Sequence, residues 1–330
     1  MSLLAPSLEA FFTERLIGQR RVSPHTIASY RDTFSLLLAF AQQRTGRPPS
    51  RLKLEDLDAP LIGAFLDHLE QHRGNSIPTR NARLAAVHSL FRFLAVRHPE
   101  HAGLIARVLA IPPKRANKPL VRFLTDPEVD ALLAAPDRSR WIGRRDHALL
   151  VLAIQTGLRV SELIGLRRQD ISLGRGPHLW CEGKGRKERV TPLTSQTVAI
   201  LRAWLAEQRG EPGDPLFPAS HHSGPLSRDA VERMLNKYAA IARHDCPSLK
   251  SKHLSPHTLR HTSAMRLLHA GVDRTVIALW LGHETTRTTD IYLHADLALK
   301  EQALARTTPP NTRAGRYQAP DSLLAFLASL

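Results

Sequence analysis

Residues 110–120, "AIPPKRANKPL", set the strongest limit on how this chain can fold. Three prolines, three basic residues and no apolar period leave nothing through which a helix or strand could continue. A break of this kind a third of the way along 330 residues predicts two units, each long enough to bury its own core. The expected division is a helical unit over 1–109, a basic linker over 110–119, a mixed unit over 120–305, and a tail over 306–330. The linker's charge suits a strap lying on a polyanion. The fold class that follows is mainly α with a small antiparallel β-sheet.

Periodicity supplies the elements. "SPHTIASYRDTFSLLLAFAQQRTG" places Ser23 as N-cap and Pro24 at the first helical position. Ile27, Tyr30, Phe34, Leu37 and Leu38 follow at helical spacing, and Gly46 ends the run. "LDAPLIGAFLDHLEQHRG" repeats the pattern. "NARLAAVHSLFRFLAV" sets Leu84, Val87, Phe91 and Leu94 on one face, and its polar face begins with Arg80 and Arg83, free to meet phosphates or solvent. Beyond the linker, "LTDPEVDALLAAP" is a capped helix, and "RRDHALLVLAIQTG" is apolar nearly all round, as a core helix is. "HLWCEGKGRKERVTPL" switches to alternation around Gly183-Lys184-Gly185, the mark of a hairpin. Helices return in "TSQTVAILRAWLAEQRG" and "AVERMLNKYAAIARH". "DSLLAFLASL", at the end of the tail, is a short apolar helix that needs a surface to bury on.

Charge narrows the class of partner. Lys plus Arg number 46 against 30 Asp plus Glu, a formal net charge of +16. Neutralising phosphates releases counterions, so a surplus of this sign favours nucleic acid over a merely solvated basic surface or anionic lipid. Two cysteines, Cys181 and Cys246, are too few for a disulfide framework and fit a reducing compartment. No stretch approaches the roughly 20 consecutive apolar residues of a membrane span, and the start reads as no secretory leader. A soluble, cytoplasmic protein with no membrane partner is the expectation.

Particular residues then call for anions. In "LSPHTLRHTSAMRLLHAG", Ser255 caps and Pro256 opens a helix. His257 and Arg260 share a face at its N-terminal end, where free amides and the helix dipole favour a phosphate. His253, His257 and His261 stand four apart, but Pro256 breaks the helix between the first two and no carboxylate or thiol completes a zinc set. Arg159 in "TGLRVSELIGL" lies among apolar neighbours, with Glu162 close enough to orient it; the bland reading is a structural ion pair. Lys184 at the hairpin turn, with Arg186, Lys187 and Arg189 behind it, makes a basic finger suited to a DNA groove. Tyr292, in "LGHETTRTTDIYLHAD", has no apolar stripe to join, whereas Tyr30 and Tyr238 do and Tyr317 sits in the tail.

The order of "TGLRVSEL", "GKGRKERVTPL", "HTLRH", "LGH" and a tyrosine nine residues beyond His283 resembles the tyrosine recombinases, or phage-integrase family. The likeness is close over residues 120–300 and looser in the N-terminal helices, which resemble the family's SAM-like core-binding domain. It implies an α+β catalytic domain that breaks and rejoins DNA. Arg159 and Arg260 would grip the scissile phosphate, with His257 and His283 completing the pocket. Lys184 would protonate the leaving 5′-oxygen, and Tyr292 would form a 3′-phosphotyrosyl link. These roles make physical sense, since fixed cations stabilise the charge that gathers on a pentacoordinate phosphate, and a phenol needs a proton acceptor such as His257. The covalent ester conserves the bond energy, so no cofactor, metal or ATP is expected, and neither a Walker loop nor a carboxylate cluster for magnesium stands in the sequence.

The resemblance further implies double-stranded recombination sites as the partner and a homo-tetramer, or a hetero-tetramer with a related recombinase, on DNA. The tail helix would dock on a neighbouring protomer. "HTSAMRLLHAG" departs from the Xer-like pattern after the shared "LRH", and the chain runs on beyond Tyr292, which favours a mobile-element integrase. The alternatives are a Xer-like chromosome-dimer resolvase and a DNA-binding factor with a vestigial pocket. Completeness of the six-residue set speaks against the last.

Overall fold

The computed structural model describes residues 3–116, 121–183, 188–207, 210–219 and 224–282. Lys184, Arg186, Lys187, His283, Tyr292, Tyr317 and the tail helix lie outside the described residues. The chain divides into two units, Met1–Lys118 and Pro119–Leu330.

In the first unit, α1 (Leu4–Ala10) continues as wider helical turns over Phe11–Gln19 and is followed by α2 (Pro24–Thr45), α3 (Ala59–Gln71), α4 (Ile77–Arg97) and α5 (Ala102–Leu109). Three of these begin alike, with a capping oxygen and a proline in the first turn. Ser23, Asp58 and Ser76 accept from the backbone amides of Thr26, Leu61 and Thr79. Their apolar stripes meet in one core that holds Phe34, Leu37, Phe65, Leu84, Val87, Phe91 and Leu94. Tyr30 packs at its edge, its ring stacked 6.2 Å from that of Phe11.

The expected strap is anchored where it leaves this unit. Asn81 of α4 donates from Nδ2 to the Lys114 carbonyl at 2.8 Å and accepts from the Lys114 amide at 3.1 Å. The Lys114 ammonium pairs with Glu70 of α3. Lys114 therefore spends its charge on the protein's own carboxylate, which the composition of the linker does not reveal.

The second unit contains α6 (Asp126–Ala134), α7 (Trp141–Thr156), α8 (Val160–Gly165), β1 (Ile171–Ser172), β2 (His178–Glu182), β3 (Glu188–Pro192), α9 (Ser195–Ala206), α10 (Arg228–Asp245), α11 (Pro256–His269) and α12 (Arg274–Leu281). The strands form an antiparallel sheet in the order β1-β2-β3, with Leu179 opposite Thr191 and Cys181 opposite Arg189. β1 has two residues, too short to show a period. α7 is buried along nearly its whole apolar run and shares the core with Leu201, Trp204, Phe217 and Leu235. Tyr238 also belongs there, and its hydroxyl donates to Asp146 at 2.8 Å. Burial, then the bond to Asp146, pushes that phenol well above its ordinary value. α11 and α12 close a smaller cluster around Met265, Leu268, Ile277 and Leu281. Among the described residues, no helix is long and apolar enough to cross a membrane.

Candidate active site

Three helix ends of the second unit converge. α7 stops at Gly157, whose φ of 63° is left-handed; a Cβ there would fall 2.6 Å from Leu281 Cδ2 and 2.9 Å from Ser263 Oγ, so only glycine lets α7 end this close to α11 and α12. Two residues on, Arg159 begins α8 in an extended conformation. α12 ends at Leu281 with Gly282, φ 64°, as its left-handed cap.

The last carbonyls of α12 gather cations. Arg260, 5% exposed, donates to the Leu281 carbonyl at 2.7 Å and to the Gly157 carbonyl at 2.7 Å. Arg159 donates from Nη2 to the Gly282 carbonyl at 3.0 Å. Arg189 donates to the Leu281 carbonyl at 3.2 Å. A helix C-terminus leaves such carbonyls without partners inside the helix and carries the negative end of its dipole, so it holds guanidiniums in place without neutralising them.

One carboxylate serves this group. Glu162, with a side chain 4% exposed, accepts from Arg159 Nη1 at 2.7 Å, from the Arg159 amide at 2.8 Å and from Arg189 Nη2 at 2.8 Å. Burial alone pushes its pKa up, but the Arg189 charge and the hydrogen bonds from Arg159 and Arg189 outweigh that and hold it below 4.5. Among the described residues, three guanidiniums stand against one carboxylate, a positive surplus suited to an anion.

His257 stands in the first turn of α11, where Ser255 caps the Thr258 amide. Partial burial, followed by the charges of Arg260, Arg228 and Arg159, lowers its pKa from 6.5. Burial, His257 and Arg260 push His261 further, to about 4. The two rings stack 6.4 Å apart. A neutral imidazole beside fixed cations can accept a proton, and the site as a whole has the chemistry to hold a phosphodiester and deprotonate a nucleophile.

The sequence matches the Phage integrase family over residues 122–298 and the Phage integrase, N-terminal SAM-like domain over residues 10–98. The chain belongs to the phage integrase family. It is a tyrosine site-specific recombinase, mainly helical, with a SAM-like unit preceding a catalytic unit. The recombinase is 59% identical to y4rC of Sinorhizobium fredii, named as an integrase/recombinase, over 99% of this chain and 98% of that one. It is 33% identical to the tyrosine recombinase XerD of Pseudomonas putida over 90% of this chain and 96% of that one. Its fold is similar to that of the Tn1549 transposon integrase in complex with circular intermediate DNA, with a TM-score of 0.68 at 16% identity, covering 93% of this chain and 100% of that one. The XerH recombinase bound to its difH substrate gives 0.65 at 22%, covering 92% and 83%.

Of the residues singled out in the sequence, Arg159, Glu162, His257 and Arg260 of the recombinase come together. Lys184, His283 and Tyr292 lie outside the described residues, as do Arg186 and Lys187. The expected open polar face of α4 fails at Arg80, which is 5% exposed with its Nε 3.8 Å from Glu70. Arg83 is half-buried and reaches Thr33 Oγ1 at 3.4 Å. Arg189 departs from the finger reading, because its side chain is turned inward and is only 10% exposed. Strand alternation carried that signal: Arg189 lies across from buried Cys181, two pairs from buried Thr191 and Leu179.

Proposed function

We propose that the recombinase cuts and rejoins the DNA of a mobile element, with Arg159 and Arg260 holding the scissile phosphate and His257 taking the proton of the Tyr292 hydroxyl. Lys184 protonates the departing 5′-oxygen, His283 completes the pocket, and Tyr292 forms the 3′-phosphotyrosyl ester. The observation that carries this reading is the meeting of Arg159 and Arg260 at successive carbonyls of the α12 C-terminus, beside a neutral His257. Two fixed cations next to a base are what an incoming phenol and a phosphate with growing charge require. The work is done by a tetramer on two duplexes in the cytoplasm, where the tail helix of residues 321–330 docks on a neighbouring protomer and Arg83, Arg186 and Lys187 contact DNA. The mobile-element role is supported by the high identity to an integrase/recombinase across the whole chain. The similarity to XerD supports a second reading, a Xer-like resolvase of chromosome dimers.

One experiment tests both layers. DNA covalently bound to the recombinase is captured from cells and sequenced, beside a Tyr292→Phe control. Adducts at the two ends of an element, absent from the control, are expected. A single chromosomal site would favour the resolvase, and adducts surviving in Tyr292→Phe would sink the nucleophile assignment.

A further inference from the structure

Arg189 is tied to more parts of the site than its place on a hairpin strand requires. From β3 it reaches both oxygens of Glu162, at 2.8 Å from Nη2 and 3.4 Å from Nη1, and the carbonyl of Leu281 at 3.2 Å. Those are the two structures that hold Arg159, since Glu162 accepts from Arg159 directly and Leu281 precedes the Gly282 carbonyl to which Arg159 donates. The approach is tight: a Cβ on Gly282 would fall 2.5 Å from Arg189 Nη1. The buried Nε of Arg189 has no hydrogen-bond partner among the described residues, a cost that an apolar side chain of similar length would avoid.

We propose that Arg189 is a positioning residue for DNA cleavage, one that fixes Glu162 and the α12 C-terminus so that Arg159 meets the phosphate at a set place; this rests on the role given to Arg159 above. Without Arg189, Glu162 keeps Arg159 as its one guanidinium partner. The carboxylate then turns toward that cation and competes with the phosphate for it, while the α12 end that carries the second support of Arg159 loosens. The effect falls on the rate of the bound complex and not on affinity, which many contacts share.

The test compares full-length wild type with Arg189→Met, Arg189→Lys and Arg159→Ala on a nicked duplex bearing the site recovered by covalent capture. Two versions of the duplex are used, one with an ordinary scissile phosphate and one with a methylphosphonate. The latter replaces a charged oxygen by a neutral methyl and so makes less demand on Arg159. Covalent adduct formation is followed at saturating DNA, with Kd from mobility shift and the thermal midpoint measured in parallel.

Misplacement of a catalytic group by about 1 Å costs on the order of 100-fold, so Arg189→Met should slow adduct formation by about 30-fold to 100-fold on the phosphate. Kd should stay within about threefold, and the deficit should contract below about fivefold on the methylphosphonate. Arg189→Lys, which keeps the charge but not the fork, should fall between Arg189→Met and wild type. Equal losses on both duplexes, or a rate that falls in step with Kd, would overturn the proposal; should Arg189→Met fail to fold, the same comparison on Arg189→Lys decides. Arg159→Ala separates the two layers. Contraction with Arg159→Ala but not with Arg189→Met overturns only the role of Arg189, and contraction with neither overturns the assignment of Arg159 as well.

Discussion

Glu162→Gln removes one negative charge from among three guanidiniums while leaving the shape of the side chain intact. The carboxylate accepts three bonds of 2.7 to 2.8 Å, from the Arg159 amide, Arg159 Nη1 and Arg189 Nη2. A glutamine can present one oxygen, and its amide nitrogen must then face a donor. Breaking a buried ion pair from one side costs about 3–5 kcal/mol. Arg159 is 26% exposed and recovers some of that from water, so about 3 kcal/mol is expected. At roughly 2–4 °C per kcal/mol for a unit of this size, thermal unfolding should come about 6–12 °C earlier at neutral pH.

The pH dependence gives the sign. A folded pKa held below the ordinary 4.5 means that the ionised carboxylate contributes stability above that value and loses it as pH falls through the lowered one. The gap between wild type and Glu162→Gln should therefore be flat from about pH 6 to 8 and close as pH falls from the ordinary 4.5 through the lowered value. Added DNA should narrow it too, because a bound phosphate returns the missing negative charge. A gap under about 1 kcal/mol at neutral pH, or one that ignores pH, would refute the view that Glu162 neutralises this cluster.

Gly282→Ala places a Cβ at left-handed φ and 2.5 Å from Arg189 Nη1, so Arg189 must leave its partners; stability should drop by about 1–2 kcal/mol, with slowed adduct formation on the nicked duplex. Tyr238→Phe removes the bond to Asp146 and should cost about 1.5–3 kcal/mol in denaturant unfolding, while adduct formation at a permissive temperature stays at the wild-type level.

How much was legible depended on whether the signal was local. Caps such as Ser23, Asp58 and Ser76 act within one turn, and the stripes of α2, α4 and α7 repeat every turn, so those helices could be read directly. Glu162 lies three residues from Arg159, and their pairing was equally visible. Arg189 pairs with the same carboxylate across 27 positions, where only strand alternation hinted that it turns inward. Arg80 looked like the start of a solvated face because Glu70, its partner, belongs to another helix. β1 exists through its pairing with β2, not through any pattern of its own.

The amide clamp between Asn81 and Lys114 sets where the first unit lets go of its chain. Both bonds run to the backbone of Lys114, so the hold outlasts any change of side chain at 114 short of proline and depends on Asn81.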